Sequence, residues 1–308
     1  MDERERIAYF NGSFVPESQV LVPFRDASVR YGEGVYDTSR TFGGRVFKLR
    51  EHLERLQQSL AYVRIDPGLT IDELEEISLE VARRNYETLS EDFWISQRIT
   101  AGVPATLGGG EPTVIVESTP LPLAARARFY VEGVALRSAT IRRTPPWAQS
   151  PQAKTTSLLN LRLADLEVRS ADPEAWPLLC DENGNLAEAW GSNVFVVRDG
   201  VVLTPRTQYV LAGITRNTVI ELARSSGLEV RETDVGLYEA TTADELFLTS
   251  TSFCVCPVGS FNGVPPRSRE IPGPITRDLQ QAFAELVDFD FVGQYLEHLP
   301  GAVAESRR

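Results

Sequence analysis

Four stretches of this chain carry residue types that could do chemistry. Lys154, in Ala153-Lys-Thr-Thr-Ser-Leu-Leu159, stands where a helix is predicted to begin. A cation opposes the macrodipole there, so something else must hold it. A desolvated lysine near a helix N-terminus or other cations has a lowered pKa and acts as nucleophile or base. Glu188, in Leu186-Ala-Glu-Ala-Trp-Gly-Ser-Asn-Val-Phe195, is an acid among apolar residues beside a Gly-Ser-Asn turn. Gly213-Ile-Thr-Arg216 opens a predicted helix, whose first N–H groups with a Thr hydroxyl make an anion site. Leu248-Thr-Ser-Thr-Ser252 ends an apolar strand with four hydroxyl residues, a donor nest for phosphate or carboxylate. Each has a plainer reading alone: a solvated lysine, the wet face of a hairpin, a Thr-capped loop, a polar turn.

Taken together they are a lysine, a carboxylate and two anion-binding turns. Pyridoxal phosphate needs this set: a Schiff-base lysine, an acid for the pyridinium nitrogen and a phosphate cup. Competing chemistries have little material. The 308 residues hold two histidines, His52 and His298, and three cysteines, so a His-rich metal site or a Ser-His-Asp triad is poorly supplied and no metal is expected. Cys254 and Cys256 sit in an apolar run and read as buried strand; an odd, sparse cysteine count fits a reducing, cytoplasmic setting. Lys plus Arg number 31 against 43 Asp plus Glu, a net charge of −12 that argues against nucleic acid or an anionic membrane as partner. No apolar run is long enough to span a bilayer, and Met1 to Arg6 leads into no secretory core.

The elements that must position these residues follow from pattern. Hydrophobic residues are 42% and charged ones 24%, ordinary for a folded chain of about two domains. Asn11-Gly12 and Gly43-Gly44 read as hairpin turns, the second joining Val35 to Thr41 with Val46 to Leu49. Leu49, Leu53, Leu56, Leu60 and Val63 make a helical face, and Thr70 with Glu73 a capping box before a second helix. Phe93 to Thr100 and Thr113 to Glu117 read as strands. Pro120 to Arg128 carries two prolines and no amphipathic period, suggesting a crossing linker. The expected division is therefore an N-terminal domain over 1–119, a linker over 120–130 and a strand-rich domain over 131–308 that carries the lysine. Strands are predicted at Val131 to Ile141, Trp176 to Leu179, Val194 to Val197, Val201 to Leu203, Glu245 to Leu248 and Val255 to Val258. Helices are predicted at Leu158 to Arg169, Thr215 to Ser226 and Thr276 to Phe289. The mixture indicates an α/β (mixed α+β) architecture.

Six blocks then resemble, in order, those of the class IV aminotransferases, the fold-type IV pyridoxal-phosphate enzymes. They are Tyr31-Gly-Glu-Gly-Val-Tyr-Asp37, Gly44 to Leu56, Lys154 onward, Glu188 to Phe195, Gly213 to Arg216 and Thr249 to Val258. The resemblance implies two domains with pyridoxal 5'-phosphate at their interface, in a homodimer with shared active sites. It implies that Lys154 holds the cofactor aldehyde and shuttles the substrate proton. Glu188 would keep the ring nitrogen protonated, and Arg55 would meet the phosphate. The N–H groups of Ile214 and Thr215, with Thr251, would complete the phosphate cup, supported by Ser250.

Substrate choice is less determined. The branched-chain enzymes of the family place a Tyr five residues after the lysine, where this chain has Leu159, and the run is closer to the D-amino-acid transaminase and lyase pattern. The loop Ala101 to Gly110 lacks the Arg and His by which D-amino-acid transaminases trap a carboxylate. Arg98, on the side of its strand shared with Trp94 and Ser96, and Arg30, from the neighbouring subunit, are the replacement candidates. Alternation turns Tyr36 and Thr38 toward the pocket and Asp37 away from it. Trp94 walls the side-chain pocket, and Tyr31 and Ser252 complete the substrate set. The expected reaction is ping-pong amino transfer to a 2-oxo acid, with D-amino acids slightly ahead of branched-chain L-amino acids as donors. A 4-amino-4-deoxychorismate lyase, an (R)-selective amine transaminase and a catalytically silent relative stay open.

Overall fold

A computed structural model describes residues 5–300; residues 1–4, most of the charged opening, and 301–308 lie outside the described part. The described chain separates into two units, the first made of Met1–Leu121 with Ala153–Leu158, the second of Pro122–Gln152 with Leu159–Arg308.

The first unit contains β1 (Ile7–Phe10), β2 (Ser13–Pro16), α1 (Ala27–Tyr31), β3 (Gly34–Phe42), β4 (Arg45–Val46), α2 (Leu49–Val63), α3 (Ile71–Leu89), β5 (Phe93–Thr100) and β6 (Thr113–Pro120). Its six strands form one antiparallel sheet in the order β2-β1-β6-β5-β3-β4. The helical face read from the leucines is real: Leu49, Leu53, Leu56 and Leu60 are buried with Val35, Phe93, Ile95, Ile99 and Val116. α3 starts where the capping box places it, with Glu73 N donating to Thr70 Oγ1 at 3.2 Å and Thr70 N to Glu73 Oε2 at 2.7 Å. α2 and α3 thus cover one face of the sheet.

The second unit contains α4 (Leu123–Arg126), α5 (Phe129–Glu132), β7 (Val134–Ser138), α6 (Leu159–Ala171), β8 (Trp176–Cys180), β9 (Leu186–Ala189), β10 (Ser192–Arg198), β11 (Val201–Thr204), α7 (Ile214–Ser225), β12 (Val230–Glu232), α8 (Leu237–Thr241), β13 (Glu245–Ser250), β14 (Cys254–Phe261), α9 (Pro274–Val287) and α10 (Phe291–Leu296). The strand order is β12-β11-β10-β13-β14-β7-β8-β9, and β9 also pairs with β10. That pairing, Ser192↔Ala189 and Asn193↔Glu188, closes six strands into a barrel and removes their exposed edges. Phe195 and Phe247, cross-strand neighbours, stack at 4.7 Å with both rings buried.

Three expectations need correction. Pro120 to Arg128 is not a bare linker: Leu123–Arg126 forms α4 and Phe129–Glu132 follows as α5, with Leu123, Ala127, Phe129 and Tyr130 buried in the second unit. The strand expected from Val131 begins only at Val134, because Gly133 ends α5 at φ 73°. Lys154 does not start a helix. α6 begins at Leu159, and the segment bearing Lys154 packs with the first unit although its sequence position suggests the second. The cause is a backbone bridge, Val35↔Thr155, along the part of β3 that β4 leaves uncovered.

Candidate active site

In the first unit, the edge of β3 fixes Lys154. Tyr36 N donates to Lys154 O at 3.0 Å, Thr156 N to Gly34 O at 2.9 Å, and Lys154 N to Ser59 Oγ of α2 at 3.1 Å. Gly32 adopts φ 70°, and a Cβ there would come 2.6 Å from Ser157 Oγ, so the turn before β3 and this segment require glycine. Lys154 Nζ stands 4.5 Å from the centre of the Tyr36 ring, a cation–π distance. Among the described residues no carboxylate lies within ion-pair distance of it.

Register then decides which side chains share that face. Tyr36 is opposite Arg98, Thr38 opposite Ser96, and Arg40 opposite Trp94. Ser96 is in turn opposite Glu117 of β6. Thr38 Oγ1 and Ser96 Oγ share a hydrogen bond at 2.9 Å. Arg98 lies 5.3 Å over the Tyr36 ring, with its Nε 3.7 Å from Glu117 Oε1. Tyr36, Thr38, Ser96 and Arg98 therefore belong to one face, as alternation predicts, and Arg98 is partly exposed there. Arg30 and Tyr31 lie on α1, whose N-terminus is capped by Asp26 at 2.8 Å from Ser28 N; both are exposed, the guanidinium 5.1 Å over the phenol ring.

On the opposite face Arg55, which the resemblance sets at the phosphate, meets Asp37 and His52, which the sequence did not single out as site residues. Asp37 points under α2 and is fully buried. Its Oδ2 accepts from Arg55 Nε at 2.8 Å; its Oδ1 accepts from Arg55 Nη2 at 2.8 Å, from Thr38 N at 2.7 Å and from His52 Nδ1 at 2.7 Å. Burial alone would raise the Asp37 carboxyl; the Arg55 guanidinium and His52 more than reverse this and hold it well below the usual carboxylate range. Burial pushes His52 down, assisted by Arg55 and Lys154 and opposed by Asp37. The only sequence signal was the spacing of His52 and Arg55, one helical turn apart beside the Leu53/Leu56 face.

In the second unit, Glu188 of β9 is buried, which sets aside the wet hairpin face. Arg143 Nε donates to its Oε1 at 2.6 Å and Leu211 N to its Oε2 at 3.1 Å. Arg143 was missed because it lies in a proline-rich stretch with no period. Opposite Glu188, Asn193 donates from Nδ2 to Leu211 O at 2.9 Å. Strand β10 and strand β9 thus both grip residue 211, two residues before the N-cap of α7. A Cβ on Gly213 would sit 2.3 Å from Asn193 Oδ1, so only glycine fits. Gly213 offers no side-chain cap, leaving the first N–H groups of α7, those of Ile214 and Thr215, without acceptors within the helix. Thr249, opposite Asn193 on β13, has a buried Oγ1 with no hydrogen-bond partner. Ser250 Oγ accepts from Ser252 N at 3.2 Å and Phe253 N at 3.3 Å, holding the turn that contains Thr251. Ser252 is engaged within the unit: Arg126 donates to its hydroxyl and Tyr295 Oη to its carbonyl at 2.8 Å.

These groups fit pyridoxal phosphate. An uncapped helix start and an orphaned buried hydroxyl in the same unit are what a phosphate satisfies. In the second unit, Glu188, held on two sides, can accept from a ring N–H; in the first, no carboxylate among the described residues is within ion-pair distance of Lys154.

The amino-transferase class IV family model matches residues 34–261. A Methanocaldococcus jannaschii protein assigned as a branched-chain-amino-acid aminotransferase is 34% identical over 284 residues, 90% of this chain and 95% of the relative. The branched-chain-amino-acid aminotransferase of Escherichia coli K12 is 32% identical over 286 residues, 89% and 91% of the two chains. A solved structure of the T.th. branched-chain amino acid aminotransferase with pyridoxamine 5'-phosphate superposes with a TM-score of 0.83 at 29% identity, covering 96% of this chain and 97% of the other.

Proposed function

Since the chain belongs to the class IV aminotransferase family and is a pyridoxal-phosphate-dependent transaminase, we propose that it moves an amino group between a branched-chain L-amino acid and a 2-oxo acid by a ping-pong reaction. The observation that carries the assignment is Lys154 Nζ over the Tyr36 ring, on the sheet face that also presents Thr38, Ser96 and Arg98. The named substrates of the relatives favour branched-chain donors over the D-amino acids suggested by the Lys-Thr-Thr-Ser run.

Pyridoxal phosphate, when bound, supplies the electron sink that makes a proton on the substrate Cα removable. Lys154 would hold the cofactor aldehyde. The Lys154 Nζ would also be the base that carries the substrate's Cα proton. Glu188, kept in place by Arg143 and Leu211 N, keeps the ring nitrogen protonated. Arg55, the N–H groups of Ile214 and Thr215, Thr251 and Ser250 hold the phosphate. Tyr36, Thr38 and Trp94 bound the side-chain pocket. Arg98, with Arg30 and Tyr31 reaching in from a second subunit, takes the substrate carboxylate. The engaged hydroxyl of Ser252 makes it a support for this set. Two apolar exposures support a homodimer: Leu159, Leu163 and Leu166 along α6, and Leu21, Phe24 and Val29 before and within α1. Three cysteines, all of them buried, accord with a reducing, cytoplasmic setting.

The test is a half-reaction panel. The purified holoenzyme is mixed with L- and D-amino acids and (R)-amines, and loss of its near-visible band is followed. L-leucine, L-isoleucine and L-valine should discharge the band; discharge by D-amino acids or (R)-amines alone would overturn the reading. Pyruvate released from aminodeoxychorismate without an amino acceptor would make the protein a lyase instead. Borohydride trapping should place the label on Lys154.

A further inference from the structure

A buried carboxylate–guanidinium pair demands a reason, because such a pair adds little net stability over apolar residues of the same volume. Asp37 and Arg55 form one, with side-chain exposures of 0% and 8%. Asp37 grips the Nε/Nη2 edge of the guanidinium at 2.8 Å twice, which fixes the plane of Arg55 and the direction in which its remaining N–H groups point. An ionised carboxylate has only lone pairs to offer, so His52 must carry its proton on Nδ1 to make the 2.7 Å bond. The imidazole thereby braces Oδ1 of Asp37, the oxygen that also receives Arg55 Nη2. The same turn of α2 also reaches Lys154: Ser59 Oγ donates to Arg55 O at 3.0 Å and accepts from Lys154 N at 3.1 Å. Asp37 itself lies between Tyr36, whose N–H holds Lys154 O, and Thr38 of the open face.

We propose that Asp37 and His52 are positioning residues for the phosphate grip: from beneath the sheet they set the orientation of Arg55 toward the cofactor phosphate. This rests on the reading of Arg55 as a phosphate ligand. The role is one of preorganisation, with no group of Asp37 or His52 touching the cofactor.

The test compares pyridoxal phosphate with pyridoxal, which lacks only the phosphate. Full-length protein is stripped of cofactor and each compound is titrated back, with binding read by absorbance. In Asp37→Asn and His52→Leu, affinity for pyridoxal phosphate should fall about tenfold or more, the loss of one charge-assisted hydrogen bond, while affinity for pyridoxal changes little. His52→Asn, which keeps a donor near the Nδ1 position, should recover part of the loss. A parallel loss for both compounds would mean a structural role only and would overturn the proposal. Arg55→Leu serves as reference: if it leaves the ratio of the two affinities untouched, the phosphate assignment of Arg55 itself fails. If Arg55→Leu collapses the ratio but Asp37→Asn and His52→Leu do not, only the positioning role fails. Should Asp37→Asn not fold, the two His52 variants decide the matter.

Discussion

At the residue scale, the buried cluster makes acid stability predictable in sign. His52 has its pKa lowered from 6.5 and Asp37 its pKa lowered from 3.8 by folding. In both cases the unfolded chain binds protons more readily than the folded one, so stability is present above the unfolded pKa and is lost as pH falls. The His52 share begins to be lost below about pH 6.5 and the Asp37 share below about pH 4. Urea unfolding of His52→Asn between about pH 6.5 and 5 should show a shallower decline than the parent; an unchanged slope would refute the assignment. Arg98→Leu should raise KM for 2-oxoglutarate about tenfold or more, the value of a lost guanidinium–carboxylate contact; an unchanged KM there and in Arg30→Ala would leave the substrate carboxylate with another partner. The residues legible in the sequence were those whose type is rare in its setting, such as Glu188 among apolar neighbours. Asp37 was not legible, because one acid in an alternating strand looks like the outer face until α2 is known to cover it. Arg143 and the orphaned Thr249 depend on contacts between distant segments, which local patterns do not carry.

At the element scale, periodicity and capping chemistry located α2 and α3 closely, and the carboxylate of Glu245 shows the same logic acting across elements. Glu245 of β13 accepts from Ile275 N at 2.9 Å and from Thr276 N at 2.8 Å, capping α9 from a neighbouring strand. Removing Thr70 from the α3 box by Thr70→Ala should cost about 1 kcal/mol, read by denaturant midpoint. Glu245→Ala should cost more, about 2 kcal/mol or above, since it strands buried donors. If the two substitutions cost the same, burial of the α9 cap has no energetic role. Lys154 shows why the remainder was illegible. Helical pattern over Leu158 to Arg169 drew it into a helix, but a backbone bridge to Val35, remote in sequence, held its segment extended. The closing pair of β9 with β10 is likewise set by the barrel and not by any turn signal.

For the molecule as a whole, the exposed leucines of α6 carry a quaternary prediction. On the proposed homodimer, Leu163→Glu with Leu166→Glu should give a monomer in sedimentation and reduce transamination, because Arg30 and Tyr31 would then be withdrawn from the neighbouring site. A dimer that persists would place the interface elsewhere. The mixed α/β division into two units was readable from the alternation of patterns, but their membership was not. The chain passes between the units at 121–122, again at 152–153 and back at 158–159. The six residues from Ala153 to Leu158 are consequently encoded inside one lobe's stretch of gene and folded into the other. No single cut parts the two lobes: one after Leu121 leaves the first lobe without Lys154, and one after Leu158 leaves it carrying 122–152 of the second. A module boundary drawn at either crossing therefore either strips Lys154 from the first lobe or takes residues from the second.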